Sequence, residues 1–233
     1  MGGKTPGTGR PGGRQQAVKV RSARGRTTSS TRWLARQLND PYVAEARKRG
    51  YRSRAAFKLI QLDERFGLLG PGRRVVDLGA APGGWTQVAV ERTGRTGRVV
   101  AIDILAMEPI AGAEILCLDF LDEAAPQRLT RALDGAADVV LSDMAAPATG
   151  HPATDHLRIM ALAEAAWDFA GGVLAPGGAF VCKLFQGGAA GELLVPLQRA
   201  FAKVRHAKPA ASRAESAETY LVATGYRGRP QDD

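Results

Sequence analysis

The sequence predicts an α/β fold in which a mostly parallel sheet carries helices on both faces. From residue 73 onward, short apolar runs rich in β-branched residues alternate with longer helical segments, which is typical of βαβ units. The run from Val75 to Trp85 predicts a buried strand, a Gly-rich turn and the start of a helix. The length of 233 residues, with 45% hydrophobic content, suits one domain with a single core.

Two helices are expected before the sheet. Asp40 and Pro41 resemble an N-cap and a first-turn proline, and they predict a short helix that runs toward Lys48. A second helix is predicted from about Ser53 to Phe66.

The strands and helices of the sheet region follow in order along the chain. The predicted strands are Val75–Leu78, Val99–Ile102, Ile115–Leu118, Val139–Leu141, Ala179–Phe185, a short strand near Val204, and Thr219–Ala223. The helices between them are predicted at Trp85–Glu91, Ala124–Leu133, Asp155–Phe169 and Glu192–Phe201.

The net charge of +9 is concentrated at the amino terminus. Residues 1–36 carry nine lysines and arginines and no acidic residue, so the remaining 23 bases and 23 acids balance. Because this segment is rich in Gly, Ser, Thr and Arg, we expect residues 1–38 to form a basic, disordered arm. Such an arm attracts nucleic acid through phosphate contacts, or it is only a solubilising extension. We expect one folded domain over residues 39–227 and a short tail over residues 228–233.

The sequence disfavours membrane, secreted and metal-binding classes of protein. No apolar run approaches the roughly 20 residues of a membrane helix, and the basic start lacks the apolar segment of a secretory signal. Cys117 and Cys182 lie in apolar segments without pairing or metal-ligand spacing. We therefore expect buried, reduced thiols, no metal and a cytoplasmic location.

Acidic residues follow three successive predicted strands. A lone aspartate such as Asp103, Asp119 or Asp143 is usually a turn former or a helix cap. Three of them on the carboxyl edge of one sheet, beside a Gly-rich turn, indicate a ligand site. Asp103 can accept both hydroxyls of a ribose, and Asp119 can reach an adenine amino group. Because the turn lacks phosphate-binding spacing, a nucleoside without phosphates is expected, and S-adenosylmethionine fits best.

Eight motifs carry a resemblance to a known family. They are Ser53–Leu59, Asp77–Trp85, Ser142–Ala145, Ala175–Gly178, Lys183–Gly187, Lys208–Pro209, Ser212–Arg213 and Glu218–Gly225. In their order and spacing the chain resembles the FtsJ/RlmE-type ribosomal RNA 2′-O-ribose methyltransferases, over roughly residues 40–227. The resemblance implies a Rossmann-like S-adenosylmethionine-dependent methyltransferase fold, with a mostly parallel seven-stranded sheet whose last strand is antiparallel.

The resemblance also implies which residues form the site. The implied catalytic tetrad is Lys58, Asp143, Lys183 and Glu218. The implied cofactor-binding residues are Asp77, Gly79, Pro82, Gly83, Gly84, Trp85, Asp103, Asp119 and Asp143. Among these, Gly83 and Trp85 are expected at the methionine portion of the cofactor.

The chemistry of methyl transfer to a hydroxyl suits the same tetrad. The weak nucleophile must lose its proton near the transition state, and the methyl group must lie close and in line. Lys183 is the candidate general base, because partial burial and the neighbouring Lys58 favour its neutral form. Asp143 acts in the opposite direction by favouring the charged form, so it is expected to orient Lys183 and the methyl end of the cofactor, and Glu218 to fix Lys58. Glu215 is an alternative to Glu218, which is preferred because it immediately precedes the last predicted strand.

A basic segment precedes the second helix. The predicted RNA-binding residues are Arg47, Lys48, Arg49, Arg52 and Arg54, and the aromatic residues Tyr42 and Tyr51 lie close by. Bases interleaved with aromatics suit phosphate contact and base stacking. A solvated helix face is the alternative. Because Lys58 follows directly, the segment is expected to border the active site.

Together these features predict methylation of a ribose 2′-hydroxyl in large-subunit (23S) ribosomal RNA during ribosome maturation. By resemblance the target is a uridine and the partner is ribosomal RNA or the large ribosomal subunit. A monomer is expected, because the sequence has no obvious exposed apolar stripe. The alternatives are a noncatalytic RNA-binding assembly factor that keeps the fold and a methyltransferase of another RNA such as tRNA.

Overall fold

A seven-stranded sheet flanked by helices dominates the structure. The computed structural model describes residues 27, 34–35, 37–186 and 191–229. The strands are β1 (Arg74–Leu78), β2 (Arg98–Asp103), β3 (Ala113–Cys117), β4 (Ala137–Ser142), β5 (Leu174–Phe185), β6 (Phe201–Ala207) and β7 (Glu218–Tyr226). The helices that we number are α1 (Pro41–Arg49), α2 (Ala56–Phe66), α3 (Gly84–Thr93), α4 (Ala125–Leu133), α5 (Pro152–Val173) and α6 (Gly191–Ala200).

The strand order explains where a ligand site can form. It runs β3-β2-β1-β4-β5-β7-β6, and β7 alone is antiparallel to its neighbours β5 and β6. The chain starts at β1, moves outward to β3 and then returns to β4 on the other side of β1. The carboxyl ends of β1 and β4 therefore lie side by side at the point where the order reverses, which is where open α/β sheets bind their ligands. The predicted α/β class and the antiparallel last strand are confirmed.

Alternating side chains divide the core between the two faces of the sheet. Val76, Val100 and Val140 pack on the face covered by α4, α5 and α6, whereas Val75 and Val139 pack on the face covered by α1, α2 and α3. These buried β-branched runs are expected of parallel strands that are covered on both sides. Because odd-numbered residues of β1 point toward α1–α3, Asp77 also faces those helices.

Each predicted helix and strand is present, and the predicted and observed ends differ by up to five residues. Asp40 caps α1 by accepting a hydrogen bond from the Tyr42 amide at 3.0 Å. The second helix begins at Ala56 rather than Ser53, because residues 52–55 form a bend and a turn. Cys182 is buried as expected, but Cys117 is exposed because it ends the edge strand β3.

Two expectations concern parts of the chain at its ends. Most of the basic arm predicted at residues 1–38 lies outside the described residues, as do residues 230–233 of the predicted tail. Among the helices that the structure describes, none is long and apolar enough to cross a membrane.

Candidate active site

Four charged side chains meet at the carboxyl edge of the sheet. Lys58 comes from α2, Asp143 directly follows β4, and Lys183 lies near the end of β5. Glu218 begins β7, and because β7 is antiparallel, its start lies at the same edge as the end of β5. The register pairs Lys183 with Tyr220 and Phe185 with Glu218, so the alternating side chains of β7 place Glu218 on the same face as Lys183.

The four side chains form two ion pairs. Lys58 Nζ lies 2.7 Å from Glu218 Oε1, and Lys183 Nζ lies 3.0 Å from Asp143 Oδ1. Lys183 also donates a hydrogen bond to the backbone carbonyl of Asp143. Lys183 is only 8% exposed, so its ammonium has exchanged most of its water for these two acceptors.

A tyrosine hydroxyl joins the two ion pairs. Tyr220 Oη accepts a hydrogen bond from Lys58 Nζ at 3.2 Å and donates one to Asp143 Oδ1 at 2.8 Å. The chain of contacts therefore runs from Glu218 through Lys58, Tyr220 and Asp143 to Lys183. Sequence reasoning missed Tyr220. Its position two residues after Glu218 on a predicted strand was the signal, because residues i and i+2 share a face.

The charges of this cluster fix the state of its members. Burial by itself raises the pKa of Asp143, but the ammonium groups of Lys183 and Lys58 and the hydrogen bonds from Lys183 and Tyr220 outweigh it, so that this pKa lies below its ordinary value. Burial and the nearby carboxylates of Asp143 and Glu218 raise the pKa of Tyr220 well above its ordinary value. Asp143 is therefore a carboxylate and Tyr220 a neutral hydroxyl at neutral pH.

Glu218 is held from two sides, and Glu215 is not part of the cluster. Ser212 Oγ donates to Glu218 Oε1 at 2.8 Å, on the side away from the β strands. Glu215 is exposed. The choice between the two glutamates made from the sequence therefore agrees with the geometry. Ser212 belongs to one of the motifs that carry the family resemblance, but the sequence predicts no role for it.

The Gly-rich turn after β1 is packed too tightly for side chains at two positions. Gly79 has a φ of 76°, and a Cβ there would lie 2.7 Å from the Cα of Met144. Gly83 is the N-cap of α3 with a φ of 108°, and its Cβ position is filled by Ile110 and by the Arg52 side chain. At these positions the backbone of the turn is bare, and protein neighbours fill the space that a side chain would take.

Asp103 connects this turn to the end of β2. Its Oδ2 accepts the Ala81 amide at 2.9 Å, and its Oδ1 accepts the Leu105 amide at 2.8 Å. A cavity of about 500 Å³ opens beside it, lined by the Gly-rich turn and the loop that follows β2: Arg52, Ala81, Pro82, Leu105, Ala106, Met107 and Glu108. The cavity is large enough for a nucleoside-sized ligand.

Three of the predicted cofactor-binding residues, Asp119, Trp85 and Gly84, make contacts with other protein groups. Asp119 lies two residues beyond β3, is exposed, and caps the Leu121 amide at 2.9 Å. Trp85 is buried, donates from Nε1 to the Ala55 carbonyl at 2.8 Å, and stacks on Tyr220 with ring centres 5.5 Å apart. It therefore joins α3 to the catalytic cluster. Gly84 lies against Ser53, where a Cβ would meet Oγ at 2.4 Å.

Asp77 is a buried carboxyl beneath the Gly-rich turn. It is fully buried, and its Oδ2 accepts a hydrogen bond from Thr86 Oγ1 at 2.7 Å. Its Oδ1 has no hydrogen-bond partner. Burial, assisted by the charges of Asp143 and Asp103, raises the pKa of Asp77 to about 7. Asp77 therefore joins the end of β1 to α3 through Thr86 and is not exposed to a ligand.

The five predicted RNA-binding residues fall into two groups. Arg47 and Lys48 are exposed at the end of α1, and Arg49 is paired with Glu45 at 2.6 Å. Arg52 and Arg54 are only partly exposed and are bound to protein groups. Arg54 Nη1 lies 2.8 Å from Asp40, and its guanidinium also donates to the Ala211 carbonyl. The side chains of the first group are therefore accessible to an RNA. Those of the second group are less exposed and already contact other protein groups.

Comparison with known proteins assigns the chain to a family. Residues 51–226 match the FtsJ-like methyltransferase family. The chain belongs to this family. Two relatives of this FtsJ-like chain are named ribosomal RNA large subunit methyltransferase E. The Rhodospirillum rubrum protein is 64% identical over 95% of this chain and 86% of its own length, and the Acidiphilium cryptum protein is 65% identical over 92% and 94%.

A solved structure supports the fold of the FtsJ-like chain. A Plasmodium falciparum protein described as a ribosomal RNA methyltransferase has a TM-score of 0.68 and 32% identity, over 77% of this chain and 100% of that one. The chain is therefore a methyltransferase with a Rossmann-like fold, and S-adenosylmethionine is its methyl donor. The bare turn, the Asp103 carboxylate and the adjoining cavity fit that cofactor.

Proposed function

We propose that this enzyme transfers a methyl group from S-adenosylmethionine to a ribose 2′-hydroxyl of large-subunit (23S) ribosomal RNA during ribosome maturation, with a uridine as the target. The names of relatives that are 64% and 65% identical over nearly the whole chain support the substrate. The observation that carries the reaction type is the continuous contact chain from Glu218 to Lys183 through the Tyr220 hydroxyl.

Lys183 is the proposed general base. When bound, S-adenosylmethionine supplies a methyl group on a sulfonium, and the C–S bond breaks with its electron pair left on sulfur. In its neutral form, Lys183 Nζ accepts the proton that the 2′-hydroxyl loses as the new C–O bond forms. Asp143 then stabilises the ammonium that results, since its Oδ1 lies 3.0 Å from Nζ.

Lys58 is proposed to position the target ribose. Glu218 Oε1, which accepts a hydrogen bond from Ser212, lies 2.7 Å from the Lys58 ammonium. The Tyr220 hydroxyl lies between Lys58 and Asp143 and so sets the distance between these two side chains. An ammonium fixed in this way is a positive charge at a set position that attracts an oxygen of the substrate.

The proposed RNA surface consists of Arg47, Lys48 and Arg49 at the end of α1. Arg47 and Lys48 are exposed, and the three side chains lie within one helical turn on the helix that precedes the Lys58 helix. We propose that the basic segment of residues 1–38 adds sequence-independent phosphate contacts through its nine bases. A cytoplasmic monomer is proposed, and sedimentation of the purified chain tests the oligomeric state.

Methylation of large subunits from a deletion strain tests the function. Subunits that lack the modification are incubated with enzyme and S-adenosylmethionine, and digested 23S RNA is examined by mass spectrometry. We expect one new 2′-O-methyl nucleotide. Lys183→Met is expected to lower the rate at least ~100-fold, the usual weight of a general base, whereas Lys203→Met, at an exposed lysine of β6, should leave it unchanged. Transfer only to tRNA, or RNA binding without methyl transfer, would reject the proposal.

A further inference from the structure

Arg52 links the basic segment to the wall of the cofactor cavity. Its Nη1 donates to the carbonyls of Glu108 at 2.6 Å and Pro82 at 3.3 Å, and its Nη2 donates to the Pro109 carbonyl at 2.8 Å. One guanidinium thus holds two separate segments, the Gly-rich turn after β1 and the loop of residues 104–110 after β2. Both segments line the cavity of about 500 Å³.

The loop that Arg52 holds has little regular structure of its own. Residues 104–110 form neither helix nor strand, and the side chains of Ile104 and Leu105 are 63% and 64% exposed. At its far end, Ile110 packs where a Cβ of Gly83 would lie, and the Arg52 methylenes pack at the same place. The position of the loop therefore depends on contacts with Arg52 and the Gly-rich turn.

Arg52 is itself fixed from the side of α3. Its backbone amide donates to Gln87 Oε1 at 2.8 Å, and Gln87 Nε2 donates to the Gly50 carbonyl at 3.0 Å. Because α3 starts directly after the Gly-rich turn, Arg52 is anchored on the helix that follows one of the two segments it holds. Three of its five N–H donors are bound to carbonyls, so its guanidinium has fewer donors to offer an RNA phosphate than a guanidinium without such partners.

We propose that Arg52 is a positioning residue for the cofactor and not an RNA contact. It holds the loop of residues 104–110 at the spacing from the Gly-rich turn that S-adenosylmethionine requires. Since the guanidinium is planar and reaches three carbonyls at once, a lysine replaces only part of this function. The proposal rests on the proposed function only in taking the cavity as the cofactor site.

Calorimetric titration with S-adenosylhomocysteine tests this role without any RNA. Arg52→Ala is expected to raise the dissociation constant about tenfold, because the loop must then be ordered when the ligand binds. Arg52→Lys should raise it by an intermediate factor. Arg128→Ala, at an exposed arginine on α4, is the control and should bind as the wild type does. Thermal unfolding checks that all variants are folded.

Two further readouts separate positioning from RNA contact. With large subunits as substrate, Arg52→Ala should raise KM for S-adenosylmethionine and keep kcat at saturating cofactor, while RNA affinity stays within about twofold. Amide exchange of residues 104–110 should become faster in Arg52→Ala and stay unchanged in Arg128→Ala. Unchanged affinity for S-adenosylhomocysteine together with weaker RNA binding would overturn the proposal. Failure of the wild type to bind S-adenosylhomocysteine would instead reject the cofactor site itself.

Discussion

Asp77 makes the stability of the fold depend on pH. Its pKa is about 7 in the folded chain, against 3.8 for an ordinary aspartate, chiefly because the carboxyl is fully buried. A group whose folded pKa is raised binds more protons in the folded state, so its stabilising contribution is lost as the pH rises toward 7. Each pH unit in this range changes the free energy of unfolding by about 1.4 kcal/mol. From pH 5 to pH 8 the loss is therefore about 3 kcal/mol.

Asp77→Asn removes this titration and keeps the shape of the side chain. An asparagine oxygen still accepts the Thr86 hydroxyl, and no charge needs to be buried. The free energy of unfolding is measured by urea titration at pH 5 and at pH 8, with tryptophan fluorescence as the signal. We expect the decrease between the two pH values to be about 3 kcal/mol smaller for Asp77→Asn than for the wild type.

The control for this experiment is a surface aspartate. Asp122 is exposed and caps the Ala124 amide, and Asp122→Asn keeps that hydrogen bond. Its pH dependence should follow that of the wild type. If Asp77→Asn loses as much stability as the wild type over the same range, then Asp77 is ionised in the folded state and the reasoning is wrong.

Three further predictions concern the site. Tyr220→Phe removes the hydroxyl between the two ion pairs; we expect kcat to fall about 10- to 100-fold, the equivalent of one hydrogen bond to a charged group, with cofactor affinity unchanged by calorimetry. Glu218→Gln should lower kcat while Glu215→Gln does not, measured in the same methylation assay; equal effects would contradict the assignment. Arg47→Ala combined with Arg49→Ala should weaken RNA binding and lower its salt slope by about 2, with cofactor affinity intact, and an unchanged slope would count against that surface.

Local sequence patterns were enough to predict most of the fold. Val75, Val99 and Val139 lie in short runs of β-branched residues, which are typical of parallel strands covered on both faces. Each of these runs forms a strand in the structure. Glycines and prolines marked the boundaries. The predicted start of α2 is three residues too early, because Arg52 and Ala55 contact Gln87 and Trp85 of α3, residues that lie 30 or more positions away in sequence.

The site was predictable where it depends on strand ends and not where it depends on long-range partners. Asp143 and Glu218 adjoin strands, so their position at one edge followed from the order of elements. Arg52 and Arg54 looked like free bases because nothing local reveals their partners, the carbonyls of Glu108 and Ala211, which are 56 and 157 residues away. Asp119 was placed at the end of a strand that stops two residues earlier.

The alternation of charges in the catalytic cluster has a consequence for turnover. Two lysines and two carboxylates sum to zero, and in the proposed mechanism the loss of one proton from Lys183 leaves the cluster singly negative, as suits a bound sulfonium cation. Methyl transfer neutralises the sulfur, and the proton from the ribose hydroxyl returns the cluster to zero. Under the proposed mechanism the attraction between this cluster and the cofactor is thus absent for the product, so each cycle ends with a cluster that has no net charge with which to retain S-adenosylhomocysteine.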